Sequence, residues 1–295
     1  MPWVRCTKRN PCLICGKDWC TISSDGTAVR CTRVASDKPS PTRSGVGFAW
    51  LHKLNSPVAV TVQYRPKRHT RKKLQEMATE MFEQGRDRLP WLADRLGVTV
   101  DSLTSIKTGW HRGAYSFPEV DSNGKTVGIM FRAESGRKWC EPGSGRALVL
   151  PNRRLPGSVV YVVEGASDTA AMLSRHHNAV GRPSNCGGVD SLRSALPRHY
   201  AGCQVVVLGE NDRKDESSRD SWPCGKCGKC MLCWPGLAGA MIVAEGLRQS
   251  GIICSIAMPP TGCKDMRDMF QAGGAIQDIV LIDGGRIPRS VGFSF

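Results

Sequence analysis

The sequence predicts an α/β protein whose C-terminal half is a parallel sheet covered by helices on both faces, preceded by a cysteine-rich metal module and a small basic α+β subdomain. Three observations carry this prediction. From Ser158 onward, apolar runs of strand length alternate with helical stretches, the order that builds a parallel sheet. The fourteen cysteines are clustered, five before residue 32 and four between 224 and 233. Lys plus Arg outnumber Asp plus Glu by 41 to 26, a net charge of +15, which points to a polyanionic partner or to a generally basic surface. With 295 residues, 40% of them hydrophobic and 23% charged, the chain has material for about two domains and is not a disordered, collagenous or coiled-coil sequence.

Met1 to Asn10 contains no apolar signal core, and the longest apolar runs, Val159–Val163 and Val205–Leu208, are strand-sized. Export and membrane insertion are therefore not expected, and a cytoplasmic protein is. In that compartment closely spaced thiols are metal ligands sooner than disulfides. Cys12-x-x-Cys15, Cys20 and Cys31 supply four thiolates for a tetrahedral zinc, with Cys6 as a fifth candidate able to replace Cys20. Trp3, Trp19, Arg30 and Arg33 offer stacking and phosphate contacts to a single strand, unless the module is only a metal-stapled knob. Ser36 to Pro57 and the basic stretch Arg65 to Lys73 read as a linker.

Leu74, Met77, Ala78, Met81 and Phe82 then fall on one face of a helix ended by Gly85. Pro90–Leu96 and Val100–Ile106 form a helical pair joined at Gly97, more simply a packing unit than a groove reader. Ala114–Val120 and Thr126–Ala133 flank Asp121-Ser122-Asn123-Gly124, a hairpin turn. The alternation that follows predicts a strand at Val159–Val163, a helix at Ser167–Arg175, a short strand near Ala179 and a helix at Val189–Leu196. It continues with a strand at Gln204–Leu208, a helix at Leu237–Gln249, a strand at Ile252–Ala257 and a last segment at Lys264–Phe270. The expected domains are 1–60, the zinc module and linker; 61–155, the basic subdomain; and 156–295, the sheet domain with a cysteine insertion at 213–235. The isolated Cys140, Cys186, Cys203, Cys254 and Cys263, with Tyr64 and His52, are read as packing or surface residues.

The chemistry concentrates where two apolar strands stop. Val-Val-Tyr-Val-Val runs into Glu164-Gly165-Ala166-Ser167-Asp168, and Val-Val-Val-Leu-Gly runs into Glu210-Asn211-Asp212. In an open parallel sheet, ligands bind outside the carboxyl ends of the strands, so these acids converge. Clustered carboxylates raise one another's pKa unless a cation neutralises them, and an all-oxygen set suits Mg2+ or Mn2+. Gly165 permits a tight turn, and the helix after it aims N–H groups at the same crevice. Taken singly, each acidic motif also fits a helix cap or a solvated loop.

These residues, together with Pro259-Pro260 and Lys264-Asp265-Met266-Arg267-Asp268, resemble the Toprim domain in the form carried by bacterial, plasmid and phage DNA primases. Upstream, Tyr115-Ser-Phe-Pro, Val127-Gly-Ile-Met-Phe-Arg132, Gly136-Arg137-Lys138 and Gly145-Arg146-Ala-Leu-Val-Leu-Pro151 are similar to the basic subdomain that precedes Toprim in primases. An N-terminal zinc module is also the primase arrangement. The resemblance implies that Glu164, Glu210 and Asp212 hold the catalytic divalent metal, with Asp168 supporting, and that Arg132, Arg137, Lys138 and Arg146 bind template or nucleotide phosphates. Lys264, Asp265 and Asp268 would close the crevice at its far edge. Glu210 departs from the pattern, since aspartate is usual there. Two metals about 4 Å apart would activate a 3′-hydroxyl and stabilise the leaving pyrophosphate.

Cys224-x-x-Cys227-x-x-Cys230-x-x-Cys233 interrupts the sheet domain and is a second departure. Its surroundings are too poor in apolar residues to fold without metal; zinc is preferred to an iron–sulfur cluster, whose bacterial ferredoxin spacing differs before the last cysteine. The resemblance implies a primase making short primers on single-stranded DNA from nucleoside triphosphates. No G-x-x-x-x-G-K-[ST] loop occurs, so a separate replicative helicase is the expected partner. A Toprim nuclease using the same acids, and a catalytically inactive single-strand-binding accessory protein, are the competing expectations.

Overall fold

The computed structural model describes residues 3–41, 48–60, 68–213 and 234–282. These fall into two compact units, one holding the described residues up to 60 together with Arg213 and Trp234, the other holding 68–212 and 235–282. No helix among the described residues is long and apolar enough to cross a membrane.

The first unit is an antiparallel sheet of β1 (Trp3–Arg5), β2 (Thr21–Ser23), β3 (Ala28–Cys31), β4 (Pro39–Pro41) and β5 (Phe48–Lys53), in the order β1-β2-β3-β5-β4. Its interior is small: Cys6, Cys12, Cys20, Cys31 and Val29 are buried, and Ile14, Cys15, Ile22, Val34 and Leu54 pack against them half-buried. A core made mostly of thiols, with few aliphatic side chains, supplies little of the burial that small domains need, so a bound metal is the natural staple. The linker expected over 36–57 is corrected here: β4 and β5 lie inside it, and β5 pairs with β3 from Ala28↔Lys53 to Cys31↔Trp50. The sequence Phe-Ala-Trp-Leu-His-Lys is aromatic and apolar enough for a strand paired on both sides, and the Ser/Pro/Gly composition around it hid the strand.

The second unit begins with α1 (Arg71–Gly85), whose N-cap Thr70 accepts from the Lys73 N–H at 3.2 Å. The basic residues Arg71 to Lys73 therefore open this helix instead of ending the linker. After a single 3₁₀ turn come α2 (Leu89–Leu96) and α3 (Val100–Ser105). Their apolar faces, Leu89, Leu92, Leu96, Leu103 and Ile106, are buried together with Tyr115, Ala170 and Leu173, so the pair packs as expected. The basic sheet has four strands, β6 (Gly109–His111), β7 (Ala114–Val120), β8 (Thr126–Ala133) and β9 (Lys138–Cys140), where the sequence announced two. The hairpin turn is where it was placed, with Asp121 Oδ1 accepting from the Asn123 and Lys125 N–H groups.

Next come β10 (Val159–Glu164), α4 (Gly165–Ser174), β11 (Asn178–Arg182), α5 (Val189–His199), β12 (Gln204–Leu208), α6 (Pro235–Arg248), β13 (Cys254–Met258), α7 (Met266–Gln271) and β14 (Val280–Leu281). The sheet order is β11-β10-β12-β13-β14, parallel except for the antiparallel edge β14. Alternate residues of each strand serve opposite layers. Val160, Val162, Val205 and Val207 meet Leu192, Leu196, Val243 and Leu247 of α5 and α6. Tyr161, Val163, Val206 and Leu208 meet Met172, Met266 and Phe270 on the side of α4 and α7. This is why both strands read as continuous apolar runs. The chain leaves β10 for β11 on one side and returns to β12 on the other, so the topological switch point lies between the ends of β10 and β12.

Candidate active site

A glutamate stands at or just beyond the end of each strand flanking the switch point. Glu164 is the last residue of β10 and the N-cap of α4, and Gly165 follows at φ +72°, a conformation in which a side chain would be strained. One turn later Asp168 is only 4% exposed, and its Oδ1 has no hydrogen-bond partner. Glu210 follows β12 through Gly209, and its Oε2 lies 3.7 Å from Lys264 Nζ. The Asn211 side chain donates to the carbonyls of Pro259 (2.9 Å), Pro260 (3.1 Å) and Cys263 (2.9 Å), and its N–H donates to that of Lys264 at 2.7 Å. These four bonds lock the Glu210 loop to the segment before α7, where Asp265 is the buried N-cap and accepts from the Asp268 N–H at 2.8 Å.

The result is a triad of Asp168, Glu210 and Asp265, each offering a carboxylate oxygen within 4.8 Å of the others. Burial and then the charges of Asp265 and Glu210 push the Asp168 carboxyl well above its ordinary range. Burial, followed by Glu164, raises Glu210 from 4.5 to about 7, against the pull of Lys264. Glu164 is raised by burial and opposed first by Arg182. An unpartnered buried oxygen among mutually repelling carboxylates is the signature of a set built for a hard divalent cation, and the residues present fit one.

The expected metal set of Glu164, Glu210 and Asp212 is coupled by charge: Asp212 acts on Glu164, and both act on Glu210. Glu164 lines the same cavity and acts on Glu210 through its charge. Asp212 spends one oxygen on the Gly236 N–H at 2.7 Å, at the start of α6. Gly236 also lies so close to the Glu210 carbonyl that a Cβ there would collide with it, which explains the glycine. Asp168 and Asp265, given supporting and edge roles from sequence, are the members gathered with Glu210. Asp268 accepts from the Lys264 N–H at 2.8 Å and holds the loop.

The carboxylates form one side of a cavity of about 360 Å³; Arg132, Lys138, Lys264 and Arg267 are among its cationic lining. Burial and the neighbouring Arg267 and Arg95 work against the charge on Arg132. Loss of water and Arg132 lower Lys138, partly offset by Glu210. Crowded cations facing crowded anions suit a ligand that brings both signs, such as a metal-bound polyphosphate. Arg146 also lines the cavity, but its charge is taken: Nε donates to both oxygens of Glu119 at 3.0 and 2.8 Å, and Nη2 donates to the Pro183 carbonyl. Arg137 lies outside the cavity lining, with its guanidinium 5.4 Å from the Trp139 ring centroid.

Four residues of this site went unnoticed in the sequence. Glu119 is 2% exposed on β7 and pairs with Arg146. Arg182, fully buried at the end of β11, donates to the Leu208 carbonyl at 2.7 Å and to that of Asn185, and its charge acts on Glu164 and Glu210. Asn211 and Arg267 are the others. The charged residues ending β11 and following β12 gave a signal for Arg182 and Asn211, since both sit at the carboxyl ends of parallel strands. Nothing local marks Glu119, and Arg267 stood in the Lys264–Asp268 motif without a role of its own.

In the first unit the sulfurs of Cys12, Cys15, Cys20 and Cys31 all lie within 4.8 Å of one another. Cys15 to Cys20 is 3.5 Å and Cys20 to Cys31 is 3.7 Å, against roughly 3.8 Å for the edge of a tetrahedron with metal–sulfur bonds near 2.3 Å. As bare thiols Cys12 and Cys31 are raised by burial, Cys31 to about 11, while at Cys15 burial is outweighed by hydrogen bonds that lower it; the spacing of the four sulfurs fits a cation. Cys6 is buried beside the quartet. The Arg30 guanidinium lies 4.2 Å from the Trp3 ring centroid and that of Arg5 lies 4.6 Å from Trp19, whose ring is largely exposed. The second cluster, Cys224, Cys227, Cys230 and Cys233, and also Tyr64, lie outside the described residues. Cys140 is a packing residue as expected, with its Sγ 3.1 Å from Met130 Sδ, and Cys254 is buried in the sheet core.

No family model matches the chain, and neither does any curated protein. Solved structures do match it. The E. coli primase catalytic core is 13% identical, over 72% of this chain and 80% of that one, with a TM-score of 0.46. The RNA polymerase domain of Mycobacterium tuberculosis primase DnaG is 15% identical over 70% and 81%, with a TM-score of 0.47. The primase fragment of the bacteriophage T7 primase-helicase protein is 13% identical over 92% and 96%, with a TM-score of 0.38. The chain is similar to these primases at low identity, and what its site can do rests on its own side chains.

Proposed function

We propose that the chain is a primase-type nucleotidyltransferase that makes short primers on single-stranded DNA from nucleoside triphosphates. The observation that carries this reading is the Asp168–Glu210–Asp265 triad, with an orphaned buried oxygen, sharing one cavity at the switch point with Arg132, Lys138, Lys264 and Arg267. Asp168, Glu210 and Asp265 would hold Mg2+ or Mn2+, with Glu164 beside them. The ion would supply Lewis-acid stabilisation of charge on the transferred phosphoryl group and its leaving pyrophosphate. Arg132 and Lys138 orient the triphosphate and offset its charge, while Lys264 and Arg267 keep the carboxylates in register. The Glu119–Arg146 pair fixes the wall of the cavity, and Arg182 ties the end of β11 to Leu208, two residues before Glu210.

In this reading the four-thiolate unit holds zinc and grips template, and the segment carrying Cys224 to Cys233 is a second zinc knuckle. The protein works in the cytoplasm beside a separate helicase. The test is incubation of the wild type and Asp168→Asn with single-stranded DNA, magnesium or manganese and labelled nucleoside triphosphates, with products resolved by length. Short oligomers from the wild type and none from the variant are expected. A shortened template would replace the proposal with a nuclease, and unchanged strands with intact binding would replace it with a binding protein.

A further inference from the structure

Strand β7 serves two cavities. Phe117 and Glu119 line the active-site cavity, whereas the alternate residues Pro118 and Val120, on the other face of the basic sheet, line a second cavity of about 480 Å³. Its walls are α1, the β7–β8 hairpin, the segment 150–154 that joins the basic subdomain to the parallel sheet, and the end of α5. The floor is apolar: Ala78, Ile106, Pro118 and Tyr200 are buried, with Phe82 and Leu150 half-buried beside them. That size and that lining are those of a small-molecule site.

The rim carries charge of one sign. Lys107, Arg153, Arg154 and His199 line this cavity, and no carboxylate does among the described residues. The acids of α1 have partners of their own: Glu76 lies 4.0 Å from Lys72, Glu83 lies 2.9 Å from Arg86, and Glu80 accepts from the Gln84 amide at 3.0 Å. Arg154 is turned to the Ala201 and Gly157 carbonyls, and His199 Nε2 donates to the Ser122 carbonyl at 2.8 Å. The side chains of Lys107 and Arg153 have no hydrogen bond or ion pair among the described residues. Lys107 also sits at φ +53°, one residue past the C-cap of α3, where glycine is the usual occupant and a side chain is strained. Cations gathered without an acid repel one another, and an anion relieves them.

Two amides in the lining add donors. Gln75 Oε1 accepts from the Thr126 N–H at 3.3 Å and its hydroxyl at 2.8 Å, and Asn152 Oδ1 accepts from the Ser105 hydroxyl at 3.1 Å. Each amide oxygen is taken, so each NH2 group is left to donate. Cations, NH2 donors and an apolar floor that includes a ring suit a ligand that is anionic at one end and has an apolar body rich in acceptors. We propose that this second cavity binds a nucleoside phosphate, with its phosphate on Lys107 and Arg153 and its base over the floor beside Phe82. A bare phosphate or a sugar phosphate would leave that floor uncovered. The site lies across β7 from the carboxylates and does not depend on the catalysis proposed above.

The test is isothermal titration calorimetry of AMP into zinc-loaded full-length protein, without magnesium or DNA. AMP is expected to bind about 10-fold more tightly than ribose 5-phosphate, which lacks the base, and inorganic phosphate to bind more weakly still. Lys107→Gln with Arg153→Gln is expected to weaken AMP about 10-fold. Thr79→Trp, at an exposed lining position of α1, places a large ring in the cavity and is expected to abolish binding. Arg132→Gln with Lys138→Gln, which strips two cations from the active-site cavity, is expected to leave AMP affinity within about 2-fold of wild type. No binding to the wild type, equal affinity for AMP and ribose 5-phosphate, or a loss confined to the Arg132 and Lys138 variant overturns the proposal. If Thr79→Trp fails to fold, the variant at Lys107 and Arg153, both exposed, decides. A wild type that makes no primer, yet binds AMP through Lys107 and Arg153, refutes the primase function and leaves the second site standing.

Discussion

Replacing Glu210 by glutamine removes one negative charge from the acidic triad without changing its shape, and it should stabilise the metal-free protein. In the folded chain the Glu210 carboxyl is raised from 4.5 to about 7, so between those values the native state keeps a proton that the unfolded chain has released. A raised acid makes its contribution below the unfolded pKa and loses it as pH climbs through the folded one, so stability falls across that window. At roughly 1.4 kcal/mol per pH unit the full loss is about 3 kcal/mol by pH 8. In urea, unfolding of the second unit should shift its midpoint upward by about 1 M in Glu210→Gln relative to wild type at that pH. Near pH 5 the two proteins should nearly coincide. Glu164 and Asp168 add to the wild-type fall in the same sense, whereas burial lowers His177 and makes it act oppositely near pH 6. The difference between the two proteins reports Glu210 together with its coupling to Asp168 and Glu164. Magnesium at ten times its dissociation constant should return about 1.4 kcal/mol to the wild type and much less to the variant. A glutamine variant no more stable than wild type at pH 8 without magnesium, or a pH-independent gap, would refute the reasoning.

Arg146→Gln leaves the Glu119 carboxylate buried beside one N–H donor, that of Ala147 at 2.9 Å, and should cost about 3–5 kcal/mol in urea unfolding; a loss below about 1 kcal/mol would mean that Glu119 relaxes into water. Arg182→Met removes donors to the Leu208 and Asn185 carbonyls and should cost about 3–6 kcal/mol, with Arg182→Lys recovering part; equal stability of the methionine variant would show that these carbonyls find other partners. Cys15→Ser should lower bound zinc by one equivalent in a colorimetric thiol-release assay while Cys6→Ser should not, and the reverse result would put Cys6 in the quartet.

The local sequence determined a good deal. Apolar runs such as Val159–Val163 became β10 and β12, because a strand buried on both faces is written as continuous valines, and the alternation with helices predicted the parallel sheet. Cys12-x-x-Cys15 with Cys20 and Cys31 gave the thiolate quartet, since ligands that close in sequence can hardly avoid one another. Short strands were different: β4, β5, β6 and β9 span three to six residues each, too few to display a period, and only pairing with longer neighbours makes them strands.

The site divides along the same line. That Glu164 and Glu210 stand at strand ends followed from sequence, because the end of an apolar run is local information. Which acids gather most closely did not: Asp168, Glu210 and Asp265 come from the first turn of α4, the loop after β12 and the cap of α7, and it is the sheet order β11-β10-β12-β13 with the Asn211 bonds to the Pro259–Lys264 segment that brings them within 4.8 Å. Asp212, also expected as a ligand, spends one oxygen on the first turn of α6, and its charge acts on Glu164 and Glu210. Glu119, Arg182 and the packed rings of Trp91, Tyr115 and Trp110 belong to the same category. A charge is buried, or a ring stacked, only by what the rest of the chain places against it, and that depends on strand register and helix docking over distances that no sequence window spans.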